Sequence, residues 1–212
     1  MNSVTILSVR FLANASPALC QALGAPKGYP SLAMLTTDCD DATYIALDAA
    51  TKAADVQVAY GRSFYAGAAN ASTPNAGEVL GILAARTPGD ARSGMDAALG
   101  MLKRLGFSQM NQVPYLAHTV SSVGSFLAKE AGIRPGMALA YLIAPPLEGI
   151  YAMDAALKAA DVRLCRLYAP PTETNFGGGL LAGTQSACEA ACAAFAAAVG
   201  EVAKQPVDCS FR

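Results

Sequence analysis

Thr43-Tyr-Ile-Ala-Leu-Asp-Ala-Ala-Thr-Lys-Ala-Ala-Asp-Val-Gln-Val58 and Gly149-Ile-Tyr-Ala-Met-Asp-Ala-Ala-Leu-Lys-Ala-Ala-Asp-Val-Arg-Leu164 are one segment written twice, 106 residues apart in a chain of 212. Nine of the sixteen pairs are identical, among them Asp48/Asp154, Lys52/Lys158, Asp55/Asp161 and Val56/Val162. An alanine-rich composition would align a few alanines by chance. It would not also align both aspartates and the lysine. The chain is a tandem duplication, and a repeat decides the fold before any single element does.

Working outward from the repeat, the two halves present the same order of elements. A β-rich stretch comes first (Val4–Leu12; Val113–Val120). A serine-capped helix follows (Ser16–Leu23; Ser122–Ala131), with Ser122 opposite Ser16 at the same offset. Next come an apolar strand (Leu32–Thr36; Ala138–Ile143), the duplicated helix, and a strand directly after it (Val56–Tyr60; Val162–Tyr168). A long loop rich in Gly, Asn and Pro leads to another strand (Val79–Leu83; Gly179–Leu181) and a last helix (Ala91–Leu105; Gln185–Val202). Thr87-Pro88 and Thr184 are the N-terminal signals of those last helices. Short strands separated by helices predict a small sheet with helices packed on it in each half. The boundary is expected near Gly106, giving domains 1–106 and 107–212 with no flexible linker between them.

Composition narrows the function. A net charge of −1 argues against a nucleic-acid partner, which needs a concentrated basic face. No apolar run approaches the ~18 residues of a membrane span, so no membrane role is expected. Met1-Asn2-Ser3-Val4 lacks the features of a signal peptide, so the protein is expected in the cytoplasm with its six cysteines reduced. Cys188 and Cys192 share a helix face, but a structural zinc site takes about four ligands. No metal site and no cofactor are expected.

The residues also argue against an enzyme. Asp38-Cys-Asp-Asp41 could hold Mg²⁺, but no accompanying cation and base are visible for phosphoryl transfer. The single histidine, His118, lies on an apolar strand pattern. The triple glycine Gly177–Gly179 lacks the GK[ST] continuation of a phosphate loop. Glu78, Glu148 and Glu173 show no paired-carboxylate spacing.

Where the two copies differ is informative. Asp38, Asp40 and Asp41 follow the first apolar strand, whereas Ala144-Pro145-Pro146-Leu147 stands at that place in the second half. The scaffold therefore does not require carboxylates there, and the difference points to a site present once per chain. Aspartate is also a favoured helix cap, so at least one of the three is expected to serve only as a cap.

Several motifs run in order over most of the chain. They are Asp38-Cys-Asp-Asp-Ala-Thr-Tyr-Ile-Ala-Leu-Asp-Ala-Ala-Thr-Lys52, Tyr60-Gly-Arg-Ser-Phe-Tyr-Ala-Gly-Ala68, Ala76-Gly-Glu-Val-Leu80, Ala140-Tyr-Leu-Ile-Ala-Pro-Pro-Leu-Glu148 and Pro171-Thr-Glu-Thr-Asn-Phe176. Together with Gly177-Gly-Gly-Leu-Leu-Ala-Gly183 and the alanine-rich helix after it, they resemble the bacterial microcompartment (BMC) shell domain. Two such domains in one chain resemble the tandem-domain trimeric shell proteins of ethanolamine utilisation.

The resemblance implies an α/β (α+β, ferredoxin-like) fold. It implies two tandem circularly permuted BMC domains, each a small mostly antiparallel sheet with flanking helices. It implies a structural protein: a homotrimer with pseudo-sixfold symmetry, tiling with other shell proteins in a microcompartment shell. Lys52 and Lys158 would lie at the lateral edge between discs. The loops Ser63–Asn75 and Ala169–Gly179 would surround a gated pore through Tyr65, Asn70, Asn75, Asn175, Phe176, Gly177 and Gly178. Asp40, Asp41, Glu78, Phe107 and the turn at Gly183 would bind a small polar metabolite such as ethanolamine. Carboxylates would pair with the ammonium, and an aromatic face would add cation–π attraction. A choline or diol compartment, or a soluble trimeric metabolite sensor, are the alternatives.

Overall fold

The computed structural model describes residues 2–64 and 77–208, and it resolves the chain into two compact units. One comprises residues 3–106 with 123–129. The other comprises residues 1–2, 107–122 and 130–212.

In the first unit, β2 (Ile6–Leu12), β3 (Ser31–Thr37), β4 (Val56–Ser63) and β5 (Val79–Ala85) form a four-stranded sheet in the order β2-β3-β5-β4. Every pairing in it is antiparallel. Strand side chains alternate between faces, and both faces of this sheet are used. Leu32, Ile82 and Ala84 pack with Cys20 of α1 (Pro17–Ala22) and with Leu23, its C-cap, on one side. On the other, α2 (Asp40–Ala53) and α3 (Pro88–Leu102) pack side by side, and Gly81 leaves room for Leu35 and Leu47. Thr87 caps α3 by accepting from the Asp90 N–H at 3.1 Å, with Pro88 in the first turn, as its sequence signals require.

The second unit repeats the plan. β7 (Val113–Val120), β8 (Ala138–Ala144), β9 (Val162–Tyr168) and β10 (Gly177–Gly183) run in the order β7-β8-β10-β9. α5 (Pro146–Ala159) begins and ends 106 residues after α2, and α6 (Gln185–Lys204) takes the place of α3. Its core joins Leu142, Met153, Leu181, Cys188 and Phe195. Two strands extend this sheet beyond the repeat, β1 (Asn2–Ser3) and β6 (Gly106–Met110). β6 and β7 form a hairpin through Asn111 and Gln112, both at positive φ, the geometry of a tight primed turn.

Three expectations change. α6 has the length and composition to cross a membrane, contrary to the reading that no run comes near. Its alanines, cysteines and valines add up, but the stripe Cys188, Ala191, Cys192, Phe195, Ala198 and Val199 is buried in the core of its unit. The helix expected from Ser122 is α4 (Ser125–Ala131), three residues later. Residues 123–129, which include most of this helix, belong to the first unit although they lie in the second half of the chain. Finally, Gly177 and Gly178, expected in a loop, are paired strand residues of β10.

Candidate functional site

The start of α2 is organised by two buried threonines. The Thr37 hydroxyl accepts from the Cys39 N–H at 3.1 Å and lies 2.7 Å from the Thr43 hydroxyl. This sets Cys39, not an aspartate, as the residue before the helix, with no side-chain cap of its own. The expectation that one aspartate is the cap is therefore corrected. Asp40 is the first helical residue, and its Oδ1 accepts from the Asp41 N–H at 2.9 Å. Asp38 turns the other way and accepts from the Thr5 N–H at 2.7 Å, holding the chain ahead of β2. Both helical aspartates sit where the helix dipole favours negative charge.

Glu78 joins them from the head of β5. Its N–H donates to the Thr37 carbonyl at 2.8 Å, and its carbonyl accepts from the Phe64 N–H at 2.9 Å, which anchors its backbone beside the end of β3. Partial burial first, and then the charges of Asp40 and Asp38, push its carboxyl above the ordinary 4.5. Burial pushes the Tyr44 phenol up to about 12 against a hydrogen bond from Ser63, and Asp40 and Asp41 add to the rise. The Cys39 thiol is pushed up by burial and then by Asp41. One end of the β3–β5 pair thus concentrates carboxylates beside a neutral phenol and a neutral thiol. Mutual repulsion in such a group is relieved by a bound cation.

The remaining expected residues are placed as follows. Phe107 and Gly183 belong to the other unit from the acidic group. Phe107 packs edge-on against Phe176, with ring centroids 5.6 Å apart at 69°. Gly183 ends β10, where a side chain would press on the Asp161 carbonyl and Val162. Tyr65, Asn70 and Asn75 lie outside the described residues. In the second loop, the Asn175 N–H donates to the Thr172 carbonyl at 3.2 Å, and the Thr172 hydroxyl donates to the Phe176 carbonyl at 2.8 Å. Asn175 takes positive φ, which asparagine tolerates. Gly178 is a glycine because its φ is +149° and a Cβ would strike the Leu142 carbonyl.

The duplicated lysines both face an aspartate one turn back, Lys52 with Asp48 at 3.4 Å and Lys158 with Asp154 at 2.6 Å. The sequence reading missed Tyr44, one helical turn beyond Asp40 and hence on the same face. It also missed the Phe107–Phe176 contact, for which no local pattern exists. The five described cysteines are free thiols, and burial raises Cys192 to about 11.

No family model matches the chain. It is 56% identical over 206 residues to the bacterial microcompartment shell protein EutL of Clostridium perfringens, covering 95% of each. It is 45% identical over 207 residues to the protein of that name from Escherichia coli, covering 96% of this chain and 94% of that one. Among solved structures, the ethanolamine utilization protein EutL from Leptotrichia buccalis superposes with a TM-score of 0.93 at 53% identity, covering 98% of this chain and 97% of that one. EtuB from Clostridium kluyveri shares the fold, with a TM-score of 0.81 at 20% identity over 93% of this chain and 88% of that one.

Proposed function

The chain belongs to the EutL family of bacterial microcompartment shell proteins, which are structural components and not enzymes, and from this premise we propose that it forms a trimeric tile of the shell carrying a binding pocket for a small ammonium-bearing metabolite such as ethanolamine. The observation that supports the tile is the repetition of one sheet plan, β2-β3-β5-β4 and β7-β8-β10-β9, in the two units. Two quasi-equal units per chain give a trimer six similar wedges, and cyclic closure is a common symmetric solution. The units correspond to the tandem BMC domains divided near residue 106. Lys52 and Lys158 lie at the lateral edges, and the loop 169–176 lines a pore that opens and closes. Shell assembly places the protein inside the bacterial cell, in the microcompartment wall.

The pocket reading is supported by the raised Glu78 carboxyl beside Asp40 and Asp38. A protonated amino alcohol supplies the missing positive charge, and its hydroxyl suits a second carboxylate. Calorimetric titration with ethanolamine tests this reading: Asp40→Asn with Glu78→Gln is expected to weaken binding at least tenfold. Unchanged affinity removes the pocket from these residues. Electron microscopy tests the tile, since flat layers support it and discrete soluble trimers favour a sensor.

A further inference from the structure

Carboxylates answer only part of what a small amino alcohol presents. They accept hydrogen bonds and do not donate them, so they suit the ammonium and the hydroxyl proton. The alcohol oxygen also carries lone pairs, and an ionised carboxylate has nothing to offer these. A site for an alcohol therefore needs an O–H or N–H donor beside its acids.

Tyr44 stands where that donor is needed. It follows Asp40 by one helical turn on α2, so the two side chains share a face. Its ring is backed by Phe126 of α4, with centroids 6.0 Å apart. Phe126 in turn lies against β4, where a Cβ on Gly61 would meet its ring at 3.3 Å. Asp48 holds the start of α4 there by accepting from the Gly124 N–H at 2.7 Å and the Leu127 N–H at 2.9 Å. The phenol oxygen reaches the end of β4, where the Ser63 hydroxyl and backbone hydrogen-bond to it. Asp40 and Asp41 are near enough for their charges to help keep the phenol proton in place. Ser63 pairs with Val79, and the Phe64 N–H beside it donates to the Glu78 carbonyl at 2.9 Å. Tyr44 and Glu78 are thus held at the same end of the β4–β5 pair.

The duplication gives an independent observation. α5 and β9 begin 106 residues after α2 and β4, and β10 begins and ends 98 residues after β5. At these offsets Asp40, Asp41, Tyr44, Ser63 and Glu78 stand opposite Pro146, Leu147, Ile150, Ala169 and Phe176. Every polar member of the group is apolar in the other copy, and the same sheet and helices form without it. The phenol and the serine differ in step with the carboxylates, which marks all five as one set.

We infer that Tyr44 is a specificity-determining residue of this pocket: its O–H donates to the hydroxyl oxygen of the bound amino alcohol, while Asp40, Asp41 and Glu78 take the ammonium and the hydroxyl proton. The inference rests on the pocket proposed above and names the group that separates an amino alcohol from a plain amine. The donors run in one direction, from Ser63 to Tyr44 to the alcohol, and hydrogen bonds in such a chain strengthen one another. An amine without the hydroxyl leaves the Tyr44 O–H facing a methyl group, and a donor desolvated without an acceptor is penalised.

Calorimetric titration with ethanolamine and with n-propylamine, in which a methyl group replaces the hydroxyl, tests this. The unaltered protein is expected to bind ethanolamine more tightly by about tenfold or more. Tyr44→Phe keeps a ring against Phe126 and is expected to lose that preference, with ethanolamine weakened about tenfold and n-propylamine unchanged within about twofold. Asp40→Asn is expected to weaken both amines alike, because it acts on the ammonium. Should Tyr44→Phe fail to fold, Ser63→Ala carries the same readout, with the preference reduced about threefold. An unaltered protein that binds neither amine overturns the pocket, and the role of Tyr44 with it. An unaltered protein that binds both amines equally, or a Tyr44→Phe variant that weakens both alike, overturns the role of Tyr44 and leaves the pocket standing.

Discussion

Asp48 and Asp154 are the same residue at the same helical position in two copies of one segment, and replacing each by alanine separates sequence identity from physical environment. Asp48 is fully buried and accepts two backbone N–H donors from the start of α4. Hydrogen bonds to a charged group contribute about 1.5–3 kcal/mol each. Lys52 adds little, because its side chain is 35% exposed and the pair is 3.4 Å apart. Asp48→Ala also leaves the Gly124 and Leu127 donors without an acceptor in a buried place. The expected loss is about 3–5 kcal/mol, the size of a broken buried network. Asp154→Ala removes only an exposed i,i+4 pair with Lys158 and should cost under about 0.5 kcal/mol. Guanidinium unfolding followed by circular dichroism measures both. Hydrogen exchange at the Leu127 amide should speed up in the first variant and stay unchanged in the second. Equal losses for the two variants, or a loss under 1 kcal/mol for Asp48→Ala, would refute the reasoning.

Three further outcomes follow from the same geometry. Glu78 has a raised carboxyl pKa, so its folded form holds a proton more tightly than its unfolded form, and its contribution to stability is lost as pH rises through the folded value. Glu78→Gln should therefore stabilise the ligand-free protein at pH 7, with the advantage vanishing below about pH 4.5 in thermal melts, and a destabilised variant at neutral pH contradicts the crowding of carboxylates. Gly178→Ala forces a side chain onto the Leu142 carbonyl at a φ of +149°, and overpacking with strain should cost about 3 kcal/mol in denaturant unfolding; a neutral effect would return Gly178 to a loop role. Lys158→Asp should leave the trimer intact in sedimentation while abolishing flat layers in electron microscopy, and persistent layers would remove the lysine from the lateral edge.

The duplicated helix was the legible part of the fold because its signals are local. Asp, Lys and Ala recur at fixed spacing, and α5 falls 106 residues after α2 at both ends. Thr87-Pro88 and Thr184 announce α3 and α6 through backbone donors a few residues away. The hairpin strand β6 escaped notice because Gly106-Phe-Ser-Gln-Met110 shows no clean alternation and Asn111-Gln112 lacks the usual Asn-Gly signature. The start of α4 was misplaced for a different reason. Its N–H donors are satisfied by Asp48 and Thr51, more than 70 residues earlier, and no local pattern around Ser122 records that. The acidic site was visible because Asp38–Asp41 has no counterpart at Ala144–Leu147. Glu78 reaches it only through the pairing of β3 with β5, which brings Val79 opposite Thr37.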